Sequence, residues 1–264
     1  MATFVLIHGS WHAAWCWYKV ASRLAAAGHA VHVPDLPAHG GNRRRIPGLV
    51  TLGAMTRTVT HILDGLDEPA IVVAHSRGGI VASSVAERRP AKVRGLVYLA
   101  AFLLRDGERV VDRFRADRDS MIPGHLEVRR WAVTDMLAAR AYREALYADC
   151  GADDITLATS LLAPEPSLPA LTRLRLTAAR YGSVPRYYIE LLHDRAVSLA
   201  AQRAMHTASP CRRVVAIDAS HSAYFSRPDE LVAHLVEIAD NAQALCDGGL
   251  TACRAADTSP LRNR

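Results

Sequence analysis

The chain has little of what marks specialised architectures. Its 264 residues include five cysteines, Cys16, Cys150, Cys211, Cys246 and Cys253. They are odd in number, scattered, and never spaced C-x-x-C, which argues against a disulfide framework and gives zinc no thiolate pair. Lysine is nearly missing: Lys19 and Lys92 stand alone, and the other basic residues are arginines. The formal net charge is +6, but the arginines are dispersed, and their one short run, Arg43-Arg44-Arg45, has no aromatic residue interleaved. A solvated surface explains that pattern better than nucleic-acid binding does. No apolar run approaches the ~18 residues of a membrane span. Thr3-Phe4-Val5-Leu6-Ile7 reads as a strand at once, without the charged and apolar regions of a signal peptide. These absences predict a cytoplasmic protein with neither a nucleic-acid nor a membrane partner, and no internal repeat is evident.

Apolar residues make up 50% of the chain, enough for the core of one large domain. Strands are predicted at Phe4–Ile7, Ala30–Val33, Ala70–Ala74 and Val93–Phe102, with helices between them. The first helix runs roughly from Trp15 to Ala27, the second carries Leu52, Met55, Val59, Ile62 and Leu66 at helical spacing, and the third, Ile80 to Arg89, stops at Pro90. The strands are continuous apolar runs, the signature of a parallel sheet covered on both faces. From Leu103 to Ala179 the rhythm breaks into charged, helical sequence punctuated by prolines, with no convincing strand. Strands resume at Tyr187–Leu192 and Val214–Ile217, and a last helix places Leu231, Val232, Leu235 and Ile238 on one face. The expected class is α/β, a mostly parallel, doubly wound sheet with a helical cap inserted before the last two strands. Residues 1–102 and 180–242 form the core, 103–179 the cap, and 243–264 a disordered tail.

Ala74-His75-Ser76-Arg77-Gly78-Gly79 directly follows the third strand. A serine on a tight strand-to-helix turn is held up at the carboxyl end of the sheet, and only small residues fit two places before and after it. A hydroxyl needs a base, and the base needs an acid to fix its tautomer. The last two strands are each followed by a candidate, Asp194 and His221, and Ser76, Asp194, His221 is the chain order of an α/β-hydrolase triad. Asp218 and Asp106 compete for the acid's place. An oxyanion hole needs two N–H donors; the amides of Ser10, in the loop His8-Gly9-Ser10, and of Arg77 are the candidates. His8 and His75 are read as structural, His193 as exposed and Asp35 as a turn former. The Arg77 side chain is expected in solvent, the alternative being a contact with a substrate anion.

The opening Phe4-Val5-Leu6-Ile7-His8-Gly9-Ser10-Trp11-His12-x-x-Trp15-x-Trp17 resembles that of the plant methylesterase and hydroxynitrile lyase family of α/β-hydrolases and its bacterial relatives. Tyr98-Leu99-Ala100-Ala101-Phe102, Tyr181-Gly182-Ser183-Val184-Pro185-Arg186-x-Tyr188-Ile189 and the spacing to Asp194 and His221 are similar too. The likeness spans Thr3 to Ala239 and is weakest across the insertion. It implies the α/β-hydrolase fold, a helical cap, no cofactor or metal, and a triad on Ser76, His221 and Asp194. The family's lyases carry a threonine where Gly9 stands and a lysine directly after the catalytic histidine, where this chain has Ser222. That difference favours an esterase for small carboxylic esters, methyl esters included, acting through an acyl-enzyme. Gly9, Trp11, His12, Trp131, Met136 and Ser222 are expected around the substrate. Two readings stay open: a lyase or cyclase on the same fold, and a receptor-like protein that binds ligand with vestigial hydrolysis. The partner is a small-molecule ester, with a homodimer compatible with the sequence.

Overall fold

Alternate residues of a strand face opposite ways, and in the central strands of this sheet both directions are buried. Phe4, Leu6, Ile71, Val73, Val97 and Leu99 belong to one core cluster. Val5, Ile7, Val72, Ala74, Leu96 and Tyr98 belong to the other. The computed structural model describes residues 1–42, 49–129, 131 and 133–256. Arg43-Arg44-Arg45 lies outside the described residues, as does 257–264 of the expected tail.

In chain order the strands are β1 (Thr3–Ile7), β2 (Ala30–His32), β3 (Ala70–His75), β4 (Val93–Leu99), β5 (Leu126–Arg129), β6 (Thr134–Leu137), β7 (Glu165–Pro166), β8 (Arg186–Leu191) and β9 (Arg213–Ile217). The main sheet has the order β2-β1-β3-β4-β8-β9, and every pairing in it is parallel. Helices α1 (Tyr18–Ala26), α2 (Leu52–Asp64) and α3 (Gly78–Arg88) follow the first three strands. The insertion carries α4 (Val110–Ala116), α5 (Ile122–His125), α6 (Tyr142–Leu146), α7 (Ala152–Leu161) and α8 (Leu168–Leu171). Helices α9 (Leu199–Ala208), α10 (Ala223–Ser226) and α11 (Pro228–Ala256) complete the core. Val20 and Leu24 of α1 pack with Leu231, Leu235 and Ile238 of α11 on one face of the sheet. Met55, Val59 and Leu63 of α2 pack with Val81 and Val85 of α3 on the other. The strand order reverses between β1 and β3, so the loops leaving these strands diverge and open a crevice at their carboxyl ends.

Three expectations need correction. The insertion is not purely helical: β5, β6 and β7 form a three-stranded antiparallel sheet. These strands read Leu-Glu-Val-Arg, Thr-Asp-Met-Leu and Glu-Pro, with none of the apolar runs by which a buried strand is recognised. Strand β4 ends at Leu99 rather than Phe102, because Ala100 turns into the left-handed region at φ 41°. Helix α11 runs through Ala256, past the expected start of a tail at 243. The Ala-Gln-Ala-Leu stretch favours helix, and the Gly248-Gly249 pair weakens helix without ending it. Among the described residues, no helix is long and apolar enough to cross a membrane.

Candidate active site

Ser76 sits at φ 52°, a left-handed conformation that a side chain disfavours, on the turn between β3 and α3. Backbone bonds hold it there: its N–H donates to Leu99 O (3.2 Å), and its carbonyl accepts from Gly79 N (3.1 Å) and Phe102 N (3.0 Å). The turn is also closely packed. A Cβ on Gly78 would lie 2.7 Å from the His8 carbonyl oxygen, and one on Gly9 would lie 2.8 Å from Ser76 Cβ. The first loop and the serine turn therefore touch backbone to side chain, with no room for a larger residue at either glycine.

Asp194 and His221 follow β8 and β9, and the two loops are zipped together by Leu192 N–H to Ile217 O (3.1 Å) and His193 N–H to Ala219 O (3.0 Å). His221 Nδ1 meets Asp194 Oδ2 at 2.7 Å, with both residues buried. The other carboxylate oxygen, Oδ1, accepts from Ala196 N (2.7 Å) and Val197 N (2.9 Å). A carboxylate only accepts, so Nδ1 carries the proton and Nε2 is left with its lone pair. The competing acids are engaged elsewhere: Asp218 is exposed and pairs with His193 at 2.5 Å, and Asp106 accepts from Leu176 N at 2.9 Å. His75, next to the serine, donates from Nε2 to the His221 carbonyl (2.9 Å), with the two rings 4.4 Å apart. Burial, and then the neighbouring His221, hold the His75 pKa well below the ordinary histidine range.

Two further neutral imidazoles shape the first loop. His8 donates from Nδ1 to Gly9 O (2.9 Å) and accepts the Leu36 N–H on Nε2 (3.1 Å). His12 donates from Nδ1 to Ser10 O (2.7 Å), and the Tyr147 hydroxyl donates to its Nε2 (2.7 Å). Burial pulls the His12 pKa down to about 3, which keeps that tautomer neutral. The amides of Ser10 and Arg77 donate no hydrogen bond within the described residues. Asp35 staples the neighbouring loop by accepting from Ala14 N and Gly41 N, both at 2.8 Å.

The Arg77 side chain is not in solvent. It is buried, with Nη2 at 2.7 Å from Glu165 Oε1 and 3.3 Å from Pro166 O, and Nη1 at 3.8 Å from Asp135 Oδ2. Glu165 Oε2 also accepts the Trp11 N–H (2.9 Å) and faces His39 Nε2 (2.9 Å); Asp135 accepts from the Trp11 indole (3.2 Å) and from Ser167 Oγ (2.9 Å). Burial lowers His39 to about 4. Glu165 and Asp135 lie on the small sheet of the insertion, and sequence reasoning missed both. Their only local mark is that Glu165 stands between Pro164 and Pro166. Asp149, also in the insertion, accepts from the amide and hydroxyl of Ser220, next to His221.

Beside this cluster a cavity of about 400 Å³ opens between core and insertion. Ser10, Trp11, Arg77 and Asp135 stand at its polar end, and Val111, Phe114, Ile122 and Leu126 are among its apolar walls. Of the residues expected around the substrate, Trp11 lines this cavity and Gly9 abuts the serine. Trp131 does not line it and is 88% exposed. Met136 packs against the core cluster instead of lining the cavity. His12 stands behind the first loop, and Ser222 is fully buried, its hydroxyl donating to Tyr224 (3.0 Å). Among the described residues, no cluster of three or more His, Cys, Asp or Glu is arranged to hold a metal ion.

Residues 4–234 match the model of the alpha/beta hydrolase family. Methylesterase 9 of Arabidopsis thaliana is 34% identical over 253 residues, an alignment covering 91% of this chain and 99% of that protein. Methyl jasmonate esterase 1 of Vitis vinifera is 32% identical over 262 residues, covering 90% and 97%. The crystal structure of a methylesterase from Arabidopsis superposes with a TM-score of 0.81 at 25% identity, covering 91% of this chain and 99% of that one.

Proposed function

The chain belongs to the alpha/beta hydrolase family and is a carboxylic ester hydrolase, and we propose that it cleaves small esters, methyl esters among them, through Ser76, His221 and Asp194. Asp194 fixes the His221 tautomer, so Nε2 is the free base that takes the Ser76 proton as the oxygen attacks the acyl carbon. The tetrahedral oxyanion forms beside the amides of Ser10 and Arg77, each worth about 3 kcal/mol of barrier where it is aligned. The protonated His221 then gives its proton to the leaving alcohol, and water repeats the cycle on the acyl-enzyme.

The observation that carries this reading is the buried His221–Asp194 hydrogen bond on loops beside a serine held at positive φ. Gly9 favours hydrolysis over the lyase alternative, because a side chain there would collide with Ser76. The cavity's walls are mainly apolar, with Arg77, Arg115 and Asp135 as its charged residues, and favour apolar acyl groups. Arg77 offers no spare charge to a substrate anion, since Glu165 and Asp135 already pair with it.

The test is alcohol release from methyl, ethyl and aryl esters near pH 8, comparing wild type with Ser76→Ala. The expected result is turnover that falls by about 10⁴ or more in kcat for Ser76→Ala, with apolar acyl groups preferred over carboxylated ones. Equal rates in the two proteins would refute the assignment.

A further inference from the structure

Ser10 supplies one proposed oxyanion donor, and the residue after it has an unusual conformation. Trp11 sits at φ 63°, in the left-handed region, where a bulky side chain has no intrinsic reason to stay. Every polar group of Trp11 is tied to the insertion: its N–H donates to Glu165 Oε2 (2.9 Å), its carbonyl accepts from Ala163 N (2.9 Å), and its indole N–H donates to Asp135 (3.2 Å). Glu165 does more than hold Trp11. Its second oxygen meets the Arg77 guanidinium at 2.7 Å, and Arg77 is the residue whose amide is the other proposed donor. One carboxylate, 3% exposed, thus touches the residue following the first donor and the side chain of the second.

We propose that Glu165 is a positioning residue for the oxyanion hole: carried on the cap, it holds Trp11 in its left-handed turn and ties it to Arg77, so that both donors are in place only while the cap is docked. This rests on the hydrolase reading above. Without the carboxylate, Trp11 relaxes toward an ordinary conformation, and the loop at Ser10 is left to the His8 and His12 bonds on Gly9 O and Ser10 O alone, with its donor N–H displaced. The substrate cavity, walled mainly by other residues, stays. The loss therefore falls on the transition state, where the oxyanion exists, and not on substrate binding.

The test compares wild type, Glu165→Ala, Glu165→Gln and Ser76→Ala on one aryl ester, together with inhibition by an alkyl boronic acid, which adds to a reactive serine as a tetrahedral adduct. Glu165→Ala is expected to lower kcat by about 10² while KM moves less than about threefold, and to weaken the boronic acid by a similar factor. Glu165→Gln, which keeps an oxygen for the Trp11 amide but loses the charge facing Arg77, is expected to recover about tenfold of the lost kcat and to stay about tenfold below wild type. A kcat within about threefold of wild type in Glu165→Ala overturns the proposal, as does a raised KM with kcat and boronic acid affinity unchanged. If Glu165→Ala does not fold, Glu165→Gln decides: a kcat drop of about threefold or more at constant KM supports the role, and unchanged kcat and inhibition contradict it. An inactive Ser76→Ala beside a fully active Glu165→Ala removes only the positioning role. A fully active Ser76→Ala removes Ser76 as the nucleophile, and the positioning role with it.

Discussion

The sheet edge and the cap face one another across a cavity, but they hold their polar atoms by different means. On the sheet edge, alongside the carboxylates of Asp35 and Asp194, neutral imidazoles fix the carbonyls: His8, His12 and His75 each donate one N–H to a backbone carbonyl at or next to a proposed site residue. On the cap side the fixing is done by charges: Glu165 and Asp135 around Arg77, and Asp149 on the Ser220 amide. The difference follows from what each has to fix. Loops leaving adjacent strands are already close, and a neutral hydrogen bond is enough to choose among their conformations. The small sheet has no ladder to the main sheet; Leu126, Met136 and Leu137 pack it on the core. Charge-assisted bonds fix where its polar atoms sit, and they are stronger and depend on every partner being present.

The cap side should therefore break when one charge is removed. Arg77→Met leaves two buried carboxylates facing each other and is expected to cost about 3 kcal/mol or more of stability, read as a lower denaturation midpoint. A variant as stable as wild type would mean that the cluster is not what attaches the cap.

The sheet edge should instead be the acid-sensitive half. Unfolded histidines take up a proton near pH 6.5, whereas burial holds folded His12 down to about 3 and His39 to about 4. Below pH 6.5 the unfolded chain binds more protons than the folded one. Stability is then complete above that pH and falls as pH drops toward the folded values. Each such histidine contributes up to about 1.4 kcal/mol per pH unit in that window. Denaturation midpoints at pH 7.5, 6.5 and 5.5 should be level between the first two and drop at the third. His12→Gln should flatten the drop. A midpoint independent of pH down to 5.5 would show that these rings do not depend on being neutral.

The same contrast explains what could be read from the sequence. Strands β1, β3, β4 and β8, the serine turn and the Ser76–Asp194–His221 order are local patterns: an apolar run, small residues around a serine, polar residues just after a strand. The cap's part of the site has no such mark. Glu165 lies 154 positions from the Trp11 amide it accepts and 126 from His39, and neither a charged residue in a polar stretch nor a strand as short as Glu-Pro announces a buried role. Arg77 looked like a surface residue because its partners are supplied by a layer whose strands lack the usual period. Trp131 looked like a pocket wall for the same reason, composition standing in for a geometry that only the folded chain supplies.

The most direct test of the central claim, an acyl-enzyme on Ser76, is the intact mass of the protein quenched in acid milliseconds after mixing with an activated aryl ester. The account predicts a single added acyl group, mapped by peptide digestion to the segment bearing Ser76 and missing in Ser76→Ala. Turnover without an adduct on Ser76, or the same adduct in Ser76→Ala, would contradict it.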